Sequence, residues 1–274
     1  DPNPQFAIVP DTTARKSYSA VSPMAGLLFH LDDNKNLYLN YSRGYRSGGL
    51  TQISSDPSQP PLYAYNPEYS NSFELGVKTT FLNNRLRVNA DVFYTRVNNA
   101  QVPSLILPEA FTVTRNVGKL TSKGFEAEIS ANPVKGLRID YNAGFTDAVY
   151  NSLKVPQGGA EVDLKGNKQI FTPDVTSMLA VQYAYEVSKK QSVRLVLRGE
   201  WFYVGKKYFD LANVIYQSPY NLLNIRAGIS TRYADIMFWK RNITNKKYVD
   251  FAYDFGAVHL AEPSTFGFTF SVSF

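Results

Sequence analysis

The side chains in this sequence that could do chemistry are charged residues at every second position of otherwise apolar segments. Glu126 and Glu128, for example, alternate with Phe125, Ala127 and Ile129. In an extended strand successive side chains point to opposite faces, so the charges share one face and the apolar residues share the other. Such a face can bind or pair ions over a wide surface, which indicates recognition rather than bond-making.

The residue types give little support to catalysis or to a metal site of the protein's own. The chain has no cysteine, which excludes disulfides, thiolate metal sites and cysteine nucleophiles. Its two histidines are His30 and His259, and the acids near His259 in sequence, Asp254 and Glu262, make a weak hydrolase set. The formal charge of +6 is spread along the chain, so no nucleic-acid footprint is indicated. We therefore expect a protein that is not an enzyme, needs no cofactor and binds no nucleic acid.

Alternation with period two dominates the 274 residues. In the last segment Phe266, Phe268 and Phe270 take one parity, while Gly267 and Thr269 take the other. Helical spacing does not fit these runs, and the apolar runs are far shorter than the roughly 20 residues of a membrane-spanning helix. The pattern predicts about eleven strands, at residues 17–31, 36–46, 70–82, 85–98, 119–132, 137–149, 173–186, 192–205, 220–231, 234–242 and 263–274.

The connections between these strands alternate between short turns and long loops. The long loops are about 47–69, 99–118, 150–172, 206–219 and 243–262. Short turns at one rim and long loops at the other are typical of outer-membrane β-barrels. A soluble β-sandwich also alternates, but charges in mid-strand suit a wet lumen better. Aromatics near strand ends, such as Trp201, Tyr220 and Trp239, indicate the two interfacial girdles of a barrel.

The odd strand number bears on how much of a barrel is present. Single-chain bacterial barrels have an even number of strands. If the strand that ends at Phe274 runs toward the periplasm, every long loop falls on the outer side. We therefore interpret residues 1–274 as the C-terminal portion of an all-β, transmembrane antiparallel β-barrel that is larger than this chain.

Several blocks of sequence, in order, resemble TonB-dependent outer-membrane receptors. The blocks are Leu37 to Gly49, Asn66-Pro67-Glu68, Phe73 to Lys78, Asn84 to Tyr94, Asn116-Val117-Gly118 with Ser122 to Glu128, Gly166-Asn167 with Thr172-Pro173, Arg241 to Tyr248, and the final strand from Phe266 to Phe274. Each block alone is weak, because Asn-rich turns are common. Together, in the right order, they make a specific match from about residue 17 to the end.

The resemblance implies a 22-stranded barrel in a Gram-negative outer membrane, of which this chain supplies about eleven strands. It implies an N-terminal plug domain and energy supplied by TonB through that plug; neither the plug nor the TonB-gripped motif is in this sequence. It also implies outer-membrane lipid around the barrel, and recognition of the final strand, ending at Phe274, by the barrel-assembly machinery.

Within this interpretation, two groups of residues are candidates for function. Charged residues in mid-strand are expected to face the lumen or the plug: Glu74, Lys78, Arg87, Asp91, Glu126, Glu128, Arg138, Asp140, Arg194, Arg198, Glu200 and Arg226. Residues at strand tops and in the outer loops are expected to bind ligand: Tyr45, Arg46, Tyr63, Tyr65, Tyr208, Tyr216, Tyr248, Tyr253 and His259. Tyrosine offers a flat apolar face with a hydroxyl, and arginine pairs with anions.

The expected function is TonB-dependent uptake of a scarce small molecule, with a ferric siderophore favoured by the resemblance. Such a complex brings its own metal ligands, so a protein metal cluster is not required. Haem, cobalamin or oligosaccharide uptake and passive porin-type diffusion remain as alternatives. Joint replacement of Tyr45 and Arg46 by Ala is expected to weaken ligand binding without lowering barrel assembly.

Overall fold

The computed structural model of the chain describes residues 15–51, 63–106, 111–157, 160–190, 192–253 and 256–272, and these residues form an antiparallel sheet. Eleven long strands follow one another in the sheet in chain order. They are β1 (Met24–Asp32), β2 (Lys35–Arg46), β3 (Glu68–Phe81), β4 (Leu86–Ile106), β5 (Phe111–Ala131), β6 (Leu137–Gln157), β7 (Val175–Ser188), β8 (Val193–Val204), β9 (Tyr220–Ser230), β10 (Ala234–Arg241) and β11 (Thr265–Val272). The predicted all-β class and the predicted strand number are confirmed. In the described part of the chain, no helix is long and apolar enough to cross a membrane.

Three neighbouring strands are longer than the alternation predicts. β4, β5 and β6 have 21 residues each, so the predicted loop 99–118 is mostly strand and the predicted loop 150–172 begins as strand. The β4–β5 ladder continues past a register shift between Asn98 and Ala100, where Asn99 has a φ of 55°. Beyond this bulge neither face is uniformly apolar, so the sequence shows no alternation although the backbone pairing goes on. β1, by contrast, is shorter than predicted, because it begins at Met24 rather than at residue 17.

The long loops also contain short paired segments of their own. Gly49–Thr51 pairs with Tyr63–Tyr65, Ala160–Asp163 pairs with the end of β6, Lys207–Tyr208 pairs with Tyr216–Gln217, and Val249–Ala252 pairs with Val258–Leu260. These ladders satisfy backbone groups that an irregular loop would leave to water.

The tight turns lie at the opposite end of the sheet and are built from turn-forming residues. In the β1–β2 turn the Asn34 N–H donates to Asp32 Oδ1 (2.8 Å), and Lys35 Nζ lies 2.6 Å from Asp32 Oδ2. Gly136, in the β5–β6 turn, has a φ of +83°, a left-handed conformation that glycine adopts without steric cost. The predicted asymmetry between short turns and long loops is therefore present.

The apolar face of the sheet has little protein packed against it. Phe266, Phe268 and Phe270 of β11 are 70%, 73% and 66% exposed, and Leu197 of β8 is 59% exposed. The buried apolar cluster of Val102, Leu120, Tyr150 and Leu153 lies instead in the long ends of β4–β6, beneath Leu164 and Leu211 of the loops. Contiguous apolar surface of this extent must be covered by something other than water.

Candidate lumen and ligand-binding surfaces

All twelve charged residues proposed for the lumen lie on one face of the sheet, because residues paired across strands share a face. One row joins Gly76, Asp91 and Glu126, and Glu74 lies two residues before Gly76 on the same face of β3. A second row joins Ser130, Asp140, Ala180 and Glu200. A third joins Arg198 to Arg226. We call this surface the charged face, and the opposite one the apolar face.

The charged face has an ion-pair network centred on Asp140. Arg138 Nε lies 2.9 Å from Asp140 Oδ2, and Arg198 Nη1 lies 3.7 Å from the same oxygen. Ser130 Oγ donates to Asp140 Oδ1 (2.8 Å), and Arg198 Nε donates to Glu200 Oε1 (2.7 Å). Only 12% of the Asp140 side chain is exposed, so its carboxylate depends on these partners for the hydrogen bonds that water would otherwise supply.

The replacement Asp140→Asn is expected to lower the free energy of unfolding by about 1–2 kcal/mol, because two guanidinium groups lose a charged acceptor. The measurement is denaturant unfolding of the refolded full-length protein, followed by its folded and unfolded gel mobilities. Glu126→Gln is the matched control, since it removes one negative charge from an exposed position of the same face. Equal stability of wild type and Asp140→Asn would show that the network contributes nothing.

The two halves of the charged face differ in sign. On β3–β5 it carries Glu74, Asp91, Glu126 and Glu128 with Lys78 and Arg87, and Lys78 Nζ lies 5.3 Å from the Tyr38 ring centroid. On β6–β9 it carries Arg138, Arg194, Arg198 and Arg226 with Asp140, Glu186 and Glu200. The first half therefore has an excess of two negative charges among these residues, and the second is nearly balanced, with an excess of one positive charge.

Two predicted girdle aromatics lie on the charged face. Trp239 pairs in register with Arg226 and with Gly267, and its ring occupies the space that a Cβ of residue 267 would need. Tyr220 is buried and stacks on Tyr248 with ring centroids 4.2 Å apart. A position near a strand end does not show which face of the sheet a side chain occupies. The face depends on whether the residue number is odd or even within that strand.

The outer loops bring aromatic side chains from three separate segments into one cluster. Phe171 stacks on Phe251 (centroids 5.2 Å, 13° between planes) and meets the edge of Phe209 (5.9 Å). Phe251 in turn contacts Tyr253 (4.7 Å), and the Phe171 N–H donates to Tyr208 O (2.8 Å). We call Phe171, Phe209, Phe251 and Tyr253 the loop aromatic cluster.

Two consecutive lysines contact loop aromatics. Lys207 Nζ lies 5.3 Å from the ring centroid of Phe209, a member of this cluster. Lys206 Nζ is 3.8 Å from the Tyr216 ring centroid and 4.5 Å from that of Tyr208, and these two rings are 6.1 Å apart. A hydrogen bond to Tyr208 raises the pKa of Lys206 further above its ordinary value, and a lysine is in any case charged at neutral pH. The adjoining cavity, lined in part by Asp174, Lys206 and Tyr208, has about 160 Å³, which is smaller than the roughly 300 Å³ of a typical ligand pocket.

Some of the residues predicted to bind ligand lie close together in the structure, and others do not. Tyr208, Tyr216 and Tyr253 belong to the region just described. Tyr248 packs on Tyr220, and burial raises its pKa. His259 is exposed and pairs with Phe251 across a short hairpin. The backbone of Tyr63 and Tyr65 pairs with the segment after β2, and the side chain of Tyr63 lies outside the described residues.

Tyr45 and Arg46 lie on opposite faces. Arg46 is exposed and pairs with Glu68, on the parity of the charged face. Tyr45 lies on the other parity, 5.5 Å from the Tyr69 ring. The expected joint action of the two side chains on one ligand is therefore not supported by the register, and alternation along β2 would have been enough to separate them.

Sequence reasoning missed Lys206 and the three phenylalanines of the loop aromatic cluster. The predicted set contained loop tyrosines, a loop histidine and one arginine. Phe171, Phe209 and Phe251 occupy or adjoin the same predicted loops, so a count of all loop aromatics would have included them. Their mutual contacts depend on the loop folds, for which the sequence gives no periodic signal.

Asparagine side chains hold the loops together. Asn66 N–H donates to Asn116 Oδ1 (2.6 Å), and Asn116 Nδ2 donates back to Asn66 O (2.8 Å). Asn213 forms a similar reciprocal pair with the Lys168 backbone (2.6 and 3.1 Å). Asn242, 6% exposed, donates to Lys246 O and accepts from Lys246 N. Asn66, Asn116 and Asn242 belong to the sequence blocks. The contacts of Asn116 and Asn213 fix backbone groups 50 and 45 residues away in sequence, whereas those of Asn242 with Lys246 are local.

The comparisons with known proteins agree with this geometry. Residues 2–244 match the family model described as TonB dependent receptor-like, beta-barrel. The probable TonB-dependent siderophore receptor PiuA of Acinetobacter baumannii is 26% identical over 254 residues, covering 88% of this chain and 32% of the relative. The catecholate siderophore receptor Fiu of Escherichia coli (strain UTI89 / UPEC) is 29% identical over 174 residues, covering 61% and 21%.

Solved structures show the same fold. The ferric yersiniabactin uptake receptor FyuA from Yersinia pestis superposes with a TM-score of 0.75 at 21% identity, covering 92% of this chain and 37% of that one. PiuA from Acinetobacter baumannii superposes with a TM-score of 0.71 at 23% identity, covering 90% and 35%. The chain spans about a third of the length of these proteins.

Proposed function

Because the chain belongs to the TonB-dependent receptor family, we propose that the full-length protein takes up a ferric siderophore across the outer membrane of a Gram-negative bacterium. The relatives named above are siderophore receptors by name, which supports this class of ligand. In this proposal the apolar face contacts lipid and the charged face lines the lumen. The protein's task is binding and passage, and no catalytic step is assigned to it.

The proposal rests mainly on one observation: the sheet has an apolar face and a charged face, and the aromatic side chains of the loops lie together at one end of it. An uncovered apolar face next to a continuous charged face is the pattern of a barrel wall with lipid outside and water inside. The loop aromatic cluster and Lys206 lie at the end where the long loops are. A ligand captured there would have the lumen below it.

The ligand chemistry follows from the side chains of the loops. Stacked rings offer flat apolar faces to aromatic chelators, and Lys206 and Arg46 offer positive charge to an anionic complex. A ferric chelate carries its own donor atoms, so the receptor needs to recognise only the outer surface of the complex.

The plug and TonB enter as proposed partners. An N-terminal plug would contact the charged face, where the excess of carboxylates on β3–β5 favours a plug surface with positive charge. TonB would act on that plug. The barrel-assembly machinery would recognise the C-terminal strand.

The Tyr45 and Arg46 positions give a prediction that separates the two faces. Arg46→Ala is expected to weaken binding of an anionic ferric chelate several-fold, because one cation on the charged face is lost. Tyr45→Ala is expected to leave affinity unchanged, because Tyr45 packs on Tyr69 on the other face. Equilibrium titration of the two purified full-length variants tests this, and equal losses for both would contradict the assignment of faces.

The proposed function is tested by growth under iron limitation. A strain without its own siderophore receptors should grow on one or more ferric chelates from a panel only when it expresses the full-length protein. Haem, cobalamin and oligosaccharide are included as competing ligands. Growth on one of these, with no ferric chelate effective, would replace the siderophore proposal.

A further inference from the structure

A row of aromatic side chains marks one level on the apolar face. Tyr41, Phe73 and Tyr94 pair in register across β2, β3 and β4, and the first two rings are 5.0 Å apart. Two residues further toward the tight turns, the same face carries Leu39, Leu75 and Val92. Aromatic residues at the edge of an apolar band occupy the boundary between hydrocarbon and headgroups.

Cations lie at this level and directly beyond it, on the same face. The register joins Arg43, Asn71, Arg96, Thr121, Val149 and Lys168 in one row. On β5, Lys123 lies in the row of Tyr94 and Lys119 in the row of Asn98. We call Arg43, Arg96, Lys119, Lys123 and Lys168 the basic exterior patch; all except Lys168 are exposed, and the side chain of Lys168 is 44% exposed.

The positive charge of the patch is only partly compensated within these rows. Asp147 lies between two of the lysines, 3.5 Å from Lys123 Nζ and 2.5 Å from Lys168 Nζ. The Arg43 guanidinium lies 4.8 Å from the Tyr69 ring centroid, a contact that leaves its hydrogen-bond donors available. The described side chains in the rows of Tyr94, Arg96 and Asn98 therefore include five cations and one carboxylate.

The other half of the apolar face has a different composition at its aromatic level. On β7, β8 and β9 the row of Tyr203 contains Ser177 and Asn221, and the row of Trp201 contains Leu179 and Leu223. The cluster of cations is thus absent from these rows of β7–β9, and Lys240 of β10, which pairs with Ile225 and Phe266, is a single cation further along the apolar face.

We propose that the basic exterior patch binds the phosphate groups of an anionic glycolipid in the outer leaflet. Arginine and lysine pair strongly with phosphate, and cations at headgroup level recognise anionic lipids. Hydrocarbon chains of the same lipid would cover Leu39, Leu75 and Val92 below. This site rests on the membrane placement in the proposed function, but not on the identity of the transported ligand.

The test uses the full-length receptor in detergent micelles and counts bound lipid by native mass spectrometry. The probes are bisphosphorylated lipid A and the same lipid without phosphates. The test variant is the triple replacement Arg43→Gln, Arg96→Gln and Lys123→Gln. The matched control is Lys189→Gln, Lys190→Gln and Arg232→Gln, which removes three exposed cations near the tight turns.

Wild type and control are expected to bind the bisphosphorylated lipid, and the test variant to bind it roughly tenfold or more weakly, since each juxtamembrane cation contributes substantially. The phosphate-free lipid should bind weakly to all three, and millimolar inorganic phosphate should not displace the bound lipid. Undiminished binding by the test variant, or equal binding of both lipids, would overturn the proposal.

Transport is measured in parallel to keep the two proposals apart. The test variant is expected to take up ferric chelate as wild type does, because the patch faces away from the lumen. Loss of uptake with normal lipid binding would contradict the assignment of these cations to lipid. If the wild type itself takes up no chelate, the proposed function fails while the lipid titration remains a complete test of the patch.

Discussion

Replacing Ala143 by Arg is expected to remove most of the folded receptor from the outer membrane, whereas replacing its neighbour Asn142 by Arg is not. Ala143 lies on the apolar face in the row of Val77, Ala90 and Ala127, four residues below the level of Asp147 on the same strand. An arginine on the lipid side near mid-depth costs about 2–4 kcal/mol. Asn142 lies on the charged face opposite Glu128, where an arginine can pair with a carboxylate in water.

The measurement is the amount of heat-modifiable, folded protein in outer-membrane fractions, with total expression as the reference. Because the two positions are adjacent on one strand, differences in local backbone propensity are minimised. Comparable amounts of folded protein for both variants would contradict the assignment of the apolar face to lipid. A loss of folded protein in the Asn142→Arg variant alone would mean that the charged face, not the apolar face, contacts lipid.

The double replacement Phe171→Ala and Phe251→Ala is expected to reduce chelate affinity by roughly tenfold to a hundredfold. A stacked aromatic contact contributes about 0.5–1.5 kcal/mol beyond the area it buries, and loss of both rings also removes apolar contact area for the ligand. Phe209 and Tyr253 lose packing partners at the same time. The affinity is measured by equilibrium binding of the ferric chelate to purified full-length receptor.

The matched control for this prediction is the pair Phe238→Ala and Phe268→Ala. These rings are also in contact, with centroids 5.4 Å apart, but they lie on the apolar face of β10 and β11. The control should bind chelate as wild type does, even where its assembly is less efficient. If the loop variant keeps full affinity, the loop aromatic cluster is a packing feature and the ligand binds elsewhere.

The wall of the barrel could be predicted from sequence because lipid on one side and water on the other impose period two. Phe266, Phe268 and Phe270 show the rule on β11, and Glu126 and Glu128 show it on β5. Each strand repeats the same constraint, so the strand number and the twelve residues of one face follow without knowledge of the contacts. The resemblance added the plug and TonB, which alternation cannot indicate.

The outer region could not be predicted in the same way, since no uniform solvent lies on either face there. β4–β6 continue past Asn99 and Ala100 without alternating, and their apolar cluster around Leu153 is closed by Leu164 and Leu211 from separate loops. The contacts of Phe171 with Phe209 and Phe251 depend on three loop conformations. These are fixed by backbone-to-asparagine hydrogen bonds such as those of Asn213, which leave no periodic trace in the sequence.

The most direct test of the proposed function is the uptake of a radioactive ferric chelate before and after the proton gradient is discharged. Cells expressing the full-length receptor are given the chelate that supports their growth, and bound and internalised iron are separated. Binding at the surface should persist after discharge, while accumulation inside should fall to the level of cells without the receptor. Accumulation that continues unchanged would mean passive diffusion through an open channel, and the energised-receptor interpretation would be wrong.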